Sequence, residues 1–169
     1  MKAIFYTLLV LLFLVSANAD SIVVSTGKSV TGSGWYSVYS FANLTDGNLS
    51  VGWNAGGFSG WAQVDLGESI LLDKAIFYSG AGPSSNETFS LYIDSVLVQT
   101  ITMYIPQGNL VPVEFDFSDR IGRYVQINIS ATSSWVAGNE FEIYSTIPEF
   151  SSIFFLGIVL FAFFLRRLF

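Results

Sequence analysis

Val111-Pro112-Val113-Glu114-Phe115-Asp116-Phe117 alternates apolar and polar side chains along its length. The valines and phenylalanines occupy every second position, and Glu114 and Asp116 lie between them. Successive side chains of a β-strand point to opposite faces of a sheet, so this period of two predicts a strand with one buried face and one solvated face. The segment therefore favours a β fold class.

The same period recurs in the segments 124–130 and 89–93. Four further strands are predicted, at 61–66, 70–78, 96–104 and 139–145. Turn sequences rich in glycine, proline, serine and asparagine separate these segments. About eight short strands with a turn signal every ten residues or so are typical of an all-β antiparallel β-sandwich or jelly roll.

The N-terminus has the composition of a secretory signal peptide. Met1-Lys2 precedes an apolar run from Ala3 to Val15, and Ala17-Asn18-Ala19 forms a small-residue cleavage site. The alternative is a first transmembrane helix, but about thirteen apolar residues span only ~20 Å of a ~30 Å hydrocarbon core. We expect residues 1–19 to be removed on export.

The C-terminus carries a second apolar block, Ile153 to Leu165, which Arg166-Arg167 follows. Paired arginines stay on the cytoplasmic side, so this block is expected to stop translocation at the membrane. Pro148-Glu149-Phe150, the apolar block and the basic end together resemble the archaeal sorting tails called PEF-CTERM. The resemblance implies that a membrane transpeptidase of the archaeosortase type cleaves the tail 147–169 and transfers the protein to a surface anchor. An ordinary tail anchor is the alternative.

The middle of the chain, residues 20–146, is expected to form one domain with one core. This region contains twelve acids and only four bases, which are Lys28, Lys74, Arg120 and Arg123. Its net negative charge argues against nucleic acid and anionic lipid as partners. The whole sequence contains no cysteine and no histidine. A disulfide framework is therefore excluded, and the commonest general base and zinc ligand are missing.

Four sequence motifs follow one another through this middle region. They are Asn43-Leu44-Thr45-Asp46-Gly47-Asn48 with Trp53 after it, Trp61-Ala62-Gln63-Val64-Asp65-Leu66-Gly67, Gly122-Arg123-Tyr124-Val125-Gln126-Ile127, and Glu140-Phe141-Glu142-Ile143-Tyr144. In this order they resemble the discoidin, or coagulation-factor type C, family of galactose-binding-like domains. The resemblance implies a β-sandwich that binds ligands at loops and, in many members, holds a structural calcium ion.

The first motif is the place where that resemblance implies the calcium ion. Carried over by position, the ligands are the Asn43 carbonyl, the Asp46 carboxylate, the Asn48 carbonyl, Ser50 and Glu140. Hard oxygen ligands of this kind suit calcium. The chain departs from the family at Val51, where threonine is frequent. An alternative reading is that the Asp46 side chain caps its own turn without a metal.

Aromatic residues concentrate in the predicted loops 31–36, 53–59, 79–86 and 131–138. In sugar-binding members of the family, such loops at one end of the sandwich hold the ligand. Aromatic faces stack on sugar rings, and amides bond hydroxyl groups. The candidate ligand-binding residues are Trp35, Tyr36, Asn54, Phe58 and Trp135. Trp53 and Trp61 are instead expected to pack in the core.

Two pairs of acids stand two residues apart on predicted strands: Glu114 with Asp116, and Glu140 with Glu142. Side chains two residues apart on a strand lie ~7 Å from each other, which overlaps the separation in inverting glycosidases. Alternating acids are ordinary on a solvated face, however, and no cleft is indicated around them. We expect no enzyme activity.

Four Asn-x-Ser/Thr sequons stand at Asn43, Asn48, Asn86 and Asn128. Export would expose them to an oligosaccharyltransferase. Asn86, in a predicted loop, is the favoured site, because a metal-binding turn leaves little room for a glycan at Asn43 or Asn48.

The sequence as a whole predicts a noncatalytic module at the cell surface that is tethered to the membrane and binds carbohydrate or mediates adhesion. The alternative is a structural protein of the cell envelope that has no small ligand. Binding to glycans would distinguish the two.

Overall fold

Eight antiparallel strands and one short 3-10 helix make up residues 21–146, the part of the chain that a computed structural model describes. The 3-10 helix is Phe41–Leu44. The strands are β1 Ser21–Val23, β2 Ser29–Gly32, β3 Trp53–Asn54, β4 Ser59–Gly80, β5 Ser85–Ile93, β6 Val96–Ile105, β7 Leu110–Ala131 and β8 Ala137–Thr146. No helix within this described range is long and apolar enough to cross a membrane.

The signal peptide predicted at 1–19 and the sorting tail predicted at 147–169, with Pro148-Glu149-Phe150, lie outside the described residues. Both remain predictions.

The strands are joined in the order β1-β8-β4-β7-β5-β6, with β2 added beside β4 and β3 beside β8. Two strands of 22 residues each, β4 and β7, hold this arrangement together. They pair from Ser59 opposite Ser130 to Gly80 opposite Leu110, with register shifts between Asp65 and Ile70 and between Leu72 and Lys74. The predicted strands 61–66 and 70–78 are thus one strand, and so are 111–117 and 124–130.

This long pair of strands folds over on itself, so that its two halves lie in opposite layers of a sandwich. The Phe77 ring, in the second half of β4, lies 6.1 Å from the Phe89 ring of β5. Within the sheet, Phe77 pairs with Val113 and Phe141, whereas Phe89 pairs with Ile129. Phe77 and Phe89 therefore meet across the core rather than along a ladder of hydrogen bonds.

An ion pair joins the two long strands where they fold. Arg123 donates two hydrogen bonds to Asp65, from Nε to Oδ1 at 2.7 Å and from Nη2 to Oδ2 at 2.9 Å. These bonds, with a further one from the Gly67 N–H, lower the pKa of Asp65 to about 2. Gly67 has a φ of +89°, which glycine adopts without strain. Two motifs that are far apart in the sequence thus meet at one point.

The predicted alternation is confirmed along β7, and β4 shows a similar alternation that changes phase once. Val113, Phe115, Val125, Ile127 and Ile129 of β7 are buried, and Glu114 and Asp116 are exposed. In β4 the buried set changes from even to odd numbers, because the register shift between Leu72 and Lys74 gives β4 one extra residue relative to β8. Ala62 and Val64 face the core before the shift, and Ala75 and Phe77 face it afterwards.

The core prediction is correct for Trp53 and wrong for Trp61. Trp53 is 1% exposed, stacks on Phe41 with ring centroids 5.7 Å apart, and donates from Nε1 to the Gly34 carbonyl at 2.8 Å. Trp61 is 37% exposed. It precedes Ala62, which faces the core, so the pleat of β4 turns Trp61 to the outer face.

Glu87 is a carboxylate inside the core, with no exposed surface. Ser79 donates a hydrogen bond from Oγ to Glu87 Oε2 at 2.9 Å, and Oε1 has no partner among the described residues. Burial raises the pKa of Glu87 to about 7, and the bond from Ser79 only partly opposes this rise. Glu87 therefore favours its neutral form inside the folded protein.

We predict that Glu87→Gln stabilises the protein at pH 8 but not at pH 4. Because the folded-state pKa of about 7 lies above the ordinary glutamate value of 4.5, the folded state holds a proton that the unfolded state releases between these values. The free energy of unfolding therefore falls as the pH rises through this window. A glutamine amide does not ionise, so E87Q avoids this fall in the free energy of unfolding. At pH 8 its free energy of unfolding should exceed that of the parent chain by at most about 3 kcal/mol.

Urea denaturation of both chains at pH 4 and pH 8 measures the difference, and Glu114→Gln, on an exposed side chain, controls for the lost charge. An equal pH dependence in E87Q and the parent chain would contradict the assignment.

Candidate functional site

A cleft of ≈ 610 Å³ lies at one end of the sandwich. Folding of the long strands places it there, because all four of their ends meet at this point. Phe58 precedes β4 and Gly80 ends it, while Leu110 begins β7 and Ser133 follows it. The lining residues are Asn54, Phe58, Gly80, Ala81, Gly82, Pro83, Gly108, Asn109, Leu110, Ser133, Ser134, Trp135, Ala137 and Asn139.

Two aromatic side chains line the cleft and remain open to solvent. Phe58 is 56% exposed and Trp135 is 41% exposed. The Tyr36 ring supports Trp135 edge-on, with centroids 5.3 Å apart. Exposed aromatic rings of this kind offer flat apolar faces beside polar groups, which is what a pyranose ring requires of a binding site.

The polar groups of the cleft are amides and hydroxyls. Asn54 uses Oδ1 to accept a hydrogen bond from the Gly56 N–H at 2.8 Å, which fixes the side chain and leaves its Nδ2 as a donor. Asn109, Asn139, Ser133 and Ser134 complete the polar lining. Among the lining residues in the part of the chain that the structure describes, none carries a charge, so this lining is neutral in a chain whose net charge is −6.

Hydrogen bonds between the loops hold the cleft walls in place. Val136 accepts from Ala55 at 2.9 Å and donates to Gly57 at 2.8 Å, which ties loop 53–59 to loop 131–138. The Ser134 hydroxyl accepts from the Gly82 N–H at 3.1 Å and so adds loop 79–86. Because these hydrogen bonds between main-chain and side-chain groups of the protein tie the three loops together, the cleft is preorganised and binding requires little loop ordering.

The structure brings four of the five predicted ligand residues together. Asn54, Phe58 and Trp135 line the cleft, and Tyr36 packs on Trp135. Trp35 is not among the lining residues. Its ring packs edge-on against Phe41 at 5.3 Å, although 55% of the residue is exposed.

Sequence reasoning missed the wall that residues 108–110 and Asn139 form. In the sequence, Pro106-Gln107-Gly108-Asn109 is one of the turns that separate predicted strands. A parallel bridge between Ala81 and Gln107, together with a hydrogen bond from the Gly108 N–H to the Ala81 carbonyl at 3.1 Å, brings this turn to the cleft. The signal in the sequence is Asn109 itself, an amide within this turn.

The predicted metal turn lies beside β8. The Asp46 carboxylate accepts a hydrogen bond from the Asn48 N–H at 2.8 Å, as the alternative without a metal requires. Asn48 Oδ1 in turn accepts from the Ser50 N–H at 2.9 Å. Asn43 anchors the turn by donating from Nδ2 to the Gly52 carbonyl at 2.8 Å.

Glu140 faces this turn from β8 and is only 2% exposed. Neither carboxylate oxygen has a hydrogen-bond partner of normal geometry among the described residues. Burial raises the pKa of Glu140 to about 7, the nearby N–H groups of Gly47 and Asn48 lower it, and the Asp46 charge raises it. Such an unpartnered buried carboxylate is costly unless a proton or a cation compensates it.

The donor set fits calcium on chemical grounds. Asp46 and Glu140 supply carboxylates, Ser50 supplies an exposed hydroxyl, and no hydrogen bond from the described residues reaches the main-chain oxygens of Asn43 or Asn48. Within 21–146, no group of three or more histidine, cysteine or acidic side chains could hold a metal. A calcium ion here would thus depend on neutral oxygens for most of its ligands.

The remaining predicted features lie away from the cleft lining. Glu114 forms an ion pair with Lys74 at 3.6 Å on the solvated sheet face, and Glu142 accepts hydrogen bonds from Tyr78 at 3.1 Å and Tyr144 at 2.7 Å. Among the sequons, the asparagines at 48 and 86 are exposed, and those at 43 and 128 are partly buried.

Comparison with known proteins shows the fold. No protein-family model matches the sequence, and no curated protein matches it. A chitosan-binding module from a chitosanase/glucanase of Paenibacillus sp. IK-5 has a TM-score of 0.57 at 21% identity, over 73% of this chain and 99% of that one. The CBM32 module of AlyQ, in complex with 4,5-unsaturated mannuronic acid, has a TM-score of 0.54 at 22% identity, over 68% and 92%.

A third similar structure is CpGH89CBM32-4 from Clostridium perfringens in complex with GlcNAc-α-1,4-galactose. It has a TM-score of 0.55 at 20% identity, over 76% of this chain and 97% of that one. The predicted galactose-binding-like β-sandwich is thereby confirmed as the fold, which this chain shares with carbohydrate-binding modules of the CBM32 type.

Proposed function

We propose that this protein is a noncatalytic carbohydrate-binding module of the cell surface. The observation that carries the proposal is the neutral, preorganised cleft, in which the faces of Phe58 and Trp135 stand beside amide and hydroxyl groups. Apolar faces with a few fixed polar groups are the usual composition of a site for a small polar ligand. The similarity in fold to modules that bind chitosan and other glycans supports the same function.

The ligand class that fits the cleft is a neutral glycan. The described lining has no lysine or arginine to pair with an acidic sugar and no carboxylate to pair with a cationic sugar. A neutral hexose or N-acetylhexosamine requires no charged partner. Its hydroxyl groups suit Asn54, Asn109 and Asn139, and its apolar face suits Trp135.

The noncatalytic part of the proposal rests on the lining as well. Glycoside hydrolysis by the usual route needs two carboxyl groups that flank the scissile bond. No acidic residue lines the cleft, and the pair Glu114 and Asp116 lies exposed on a sheet face.

We also propose export and membrane anchoring, on the basis of the sequence of the two ends. The expected mature chain begins at Asp20 and ends near Pro148 with an added lipid, since a sorting transpeptidase would cleave there. Intact mass spectrometry of the protein extracted from its native membrane measures this. A chain that continues through Phe169 would instead indicate an ordinary tail anchor and would rule out processing of the sorting tail.

A structural calcium ion at the turn 43–50 is the third element of the proposal. The unpartnered Glu140 carboxylate and the free main-chain oxygens of Asn43 and Asn48 support it. The bound ion would neutralise Glu140 and hold the turn against β8, while Asp46, Asn48 and Ser50 close the shell from the solvent side. Its role would be to stabilise the fold.

We predict that Trp135→Ala weakens glycan binding about tenfold or more, which corresponds to ~1.4 kcal/mol, because it removes a stacking face of the cleft. Screening on an array of neutral oligosaccharides, followed by calorimetry with the best ligand, measures the effect. Trp35→Ala is the matched control, since Trp35 is equally aromatic and exposed but lies outside the lining. Equal losses in both variants, or no binding by the parent chain, would contradict the assignment.

We predict that calcium raises the melting temperature of the parent chain and that Glu140→Gln abolishes this increase. A ligand that binds only the folded state stabilises it in proportion to the logarithm of its concentration. Thermal denaturation with calcium chloride or with EDTA measures the increase. Glu142→Gln, two residues along β8 on the outer face, serves as the control. If the melting temperature does not respond to calcium, the calcium proposal is wrong and Asp46 only caps its own turn.

A further inference from the structure

The buried carboxylate of Glu87 is connected to the cleft by a single side chain. Ser79, which is also fully buried, lies between Glu87 and the main-chain oxygen of Ala137. Its Oγ is 2.9 Å from Glu87 Oε2 and 3.2 Å from the Ala137 oxygen, and either oxygen can accept from the hydroxyl. Ala137 lines the cleft, and so does Gly80, the residue after Ser79. A change at Glu87 can therefore reach the cleft wall through one hydroxyl group.

The direction of these hydrogen bonds depends on whether Glu87 carries a proton. The Ser79 hydroxyl has one hydrogen, so it donates to one acceptor at a time. An ionised Glu87 takes this hydrogen, because a carboxylate is the stronger acceptor, and the Ala137 oxygen then loses its bond from Ser79. A neutral Glu87 donates its own hydrogen from Oε2 to Ser79 Oγ, which leaves Ser79 free to donate to Ala137. The neutral acid thus completes a chain of two hydrogen bonds that ends in the cleft wall.

The surroundings of Glu87 place its proton on Oε2. Within residues 21–146, Oε1 has no hydrogen-bond partner. A hydrogen on Oε1 would be a buried donor without an acceptor, which is costly, whereas a hydrogen on Oε2 has Ser79 as its acceptor. The same lone oxygen disfavours the ionised form, because part of the buried charge lacks a donor. Burial accordingly raises the pKa of Glu87 to about 7, so both forms are populated near neutral pH.

No other charged side chain of the described residues faces Glu87. On the neighbouring strands it lies opposite Met103 of β6 and Ala131 of β7, and its pKa shift has only two causes, burial and the bond from Ser79. The segments 53–58, 81–84, 106–109 and 132–136, which surround the cleft, contain no acid or base.

The charged residues of β4, β7 and β8 point elsewhere. Those nearest in the layer of Ser79 pair with even-numbered residues of β4, on the opposite side of its pleat. They are Lys74, Glu114, Asp116, Glu140 and Glu142. The others lie in 65–73 and 119–123, at least six residues, or ~20 Å, along their strands from Ser79 and Ala131. Ser79 is therefore the one polar contact through which Glu87 acts.

We propose that Glu87 is a positioning residue of the cleft: its proton, acting through Ser79, holds the wall at Ala137 in place, so that glycans bind more tightly when Glu87 is neutral. Ala137 lies opposite Asn54 in the pairing of β3 with β8. The chain of bonds thereby supports a side chain of the proposed ligand site. The effect on affinity rests on the proposed glycan function, whereas the hydrogen-bond chain does not.

The sign of the pH dependence follows from the chain of bonds. As the pH rises through about 7, Glu87 loses its proton, Ser79 turns to the carboxylate, and Ala137 loses one hydrogen bond. We expect glycan affinity to fall about three- to tenfold between pH 5.5 and pH 8.5, which is the usual worth of one hydrogen bond. The cleft lining and the proposed ligand are both uncharged, so direct attraction between charges predicts no such change.

The sequence supplies a direct probe of the Ala137 carbonyl. Alanine precedes glycine at three places in the chain, Ala55-Gly56, Ala81-Gly82 and Ala137-Gly138. NMR of the full-length chain in detergent, labelled with 13C-carbonyl alanine and 15N-glycine, therefore shows three signals, which single Ala→Ser changes assign. Ala81 is the internal control, because its oxygen accepts from the Gly108 N–H at 3.1 Å.

We expect the Ala137 carbonyl signal of the parent chain to shift with a midpoint near pH 7, since this resonance responds to the hydrogen bond that the oxygen accepts. The signal should stay constant from pH 5.5 to pH 8.5 in Glu87→Gln and in Ser79→Ala. A parent signal that does not titrate would overturn the proposal. So would an equal shift in Ser79→Ala, because the charge of Glu87 would then act through space and not through Ser79.

Calorimetry at pH 5.5 and pH 8.5, with the best ligand from an array of neutral oligosaccharides, tests the effect on binding. The Gln side chain can donate to Ser79 as the neutral acid does, so we expect Glu87→Gln to keep the tighter affinity at both pH values. Glu140 is the other buried carboxylate with a pKa raised to about 7. Glu140→Gln should therefore keep the ratio of the two affinities that the parent chain shows.

The outcomes separate this inference from the function on which it rests. Binding of equal strength at both pH values would overturn the role of Glu87 and leave the glycan function standing. A pH dependence that is lost in Glu140→Gln but kept in Glu87→Gln would overturn that role as well. No binding at either pH would overturn the glycan function, and with it the effect on affinity, while the Ala137 signal would still decide whether the hydrogen-bond chain exists.

Discussion

Pairing of β4 with β7 along their whole length is the interaction on which the rest of the structure depends. The pair folds over near Asp65 and Arg123 and so supplies strands to both layers of the sandwich. The other strands of each layer are added to these two. β8 joins the second half of β4, and β5 joins the second half of β7. The same fold returns all four strand ends to one place, and that place is the cleft.

Two buried carboxylates mark where this scaffold departs from an apolar core. Within residues 21–146, Glu87 accepts one hydrogen bond, from Ser79, and Glu140 has none of normal geometry. Both pKa values are raised to about 7, chiefly by burial. The two residues differ in what lies next to them. Glu87 lies among core residues, where a proton neutralises the carboxylate. Glu140 faces a turn rich in oxygen atoms, where a bound cation would neutralise the carboxylate instead.

Charged side chains are distributed unevenly over the surface of the molecule. The acidic residues lie mainly on solvated faces and turns, while the cleft lining and strand β6 are uncharged. A neutral glycan, the ligand proposed for the cleft, would meet no charged side chain among the described lining residues.

The sequence by itself determined the β class, most of the strands, and the buried positions of 111–117 and 124–130, because alternation depends only on neighbours two residues apart. Of the five aromatic and amide residues that it indicated for the ligand site, four gather at the cleft. Tertiary structure alone decided that adjacent segments join into two long strands, that Trp61 turns outward, and that residues 108–110 and Asn139 reach the cleft. The physical reason is that the pairing of β4 with β7 sets which side of the β4 pleat faces the core, and that the bridge between Ala81 and Gln107 brings the turn to the cleft. Both arise from pairing between residues far apart in the chain, which no local pattern records.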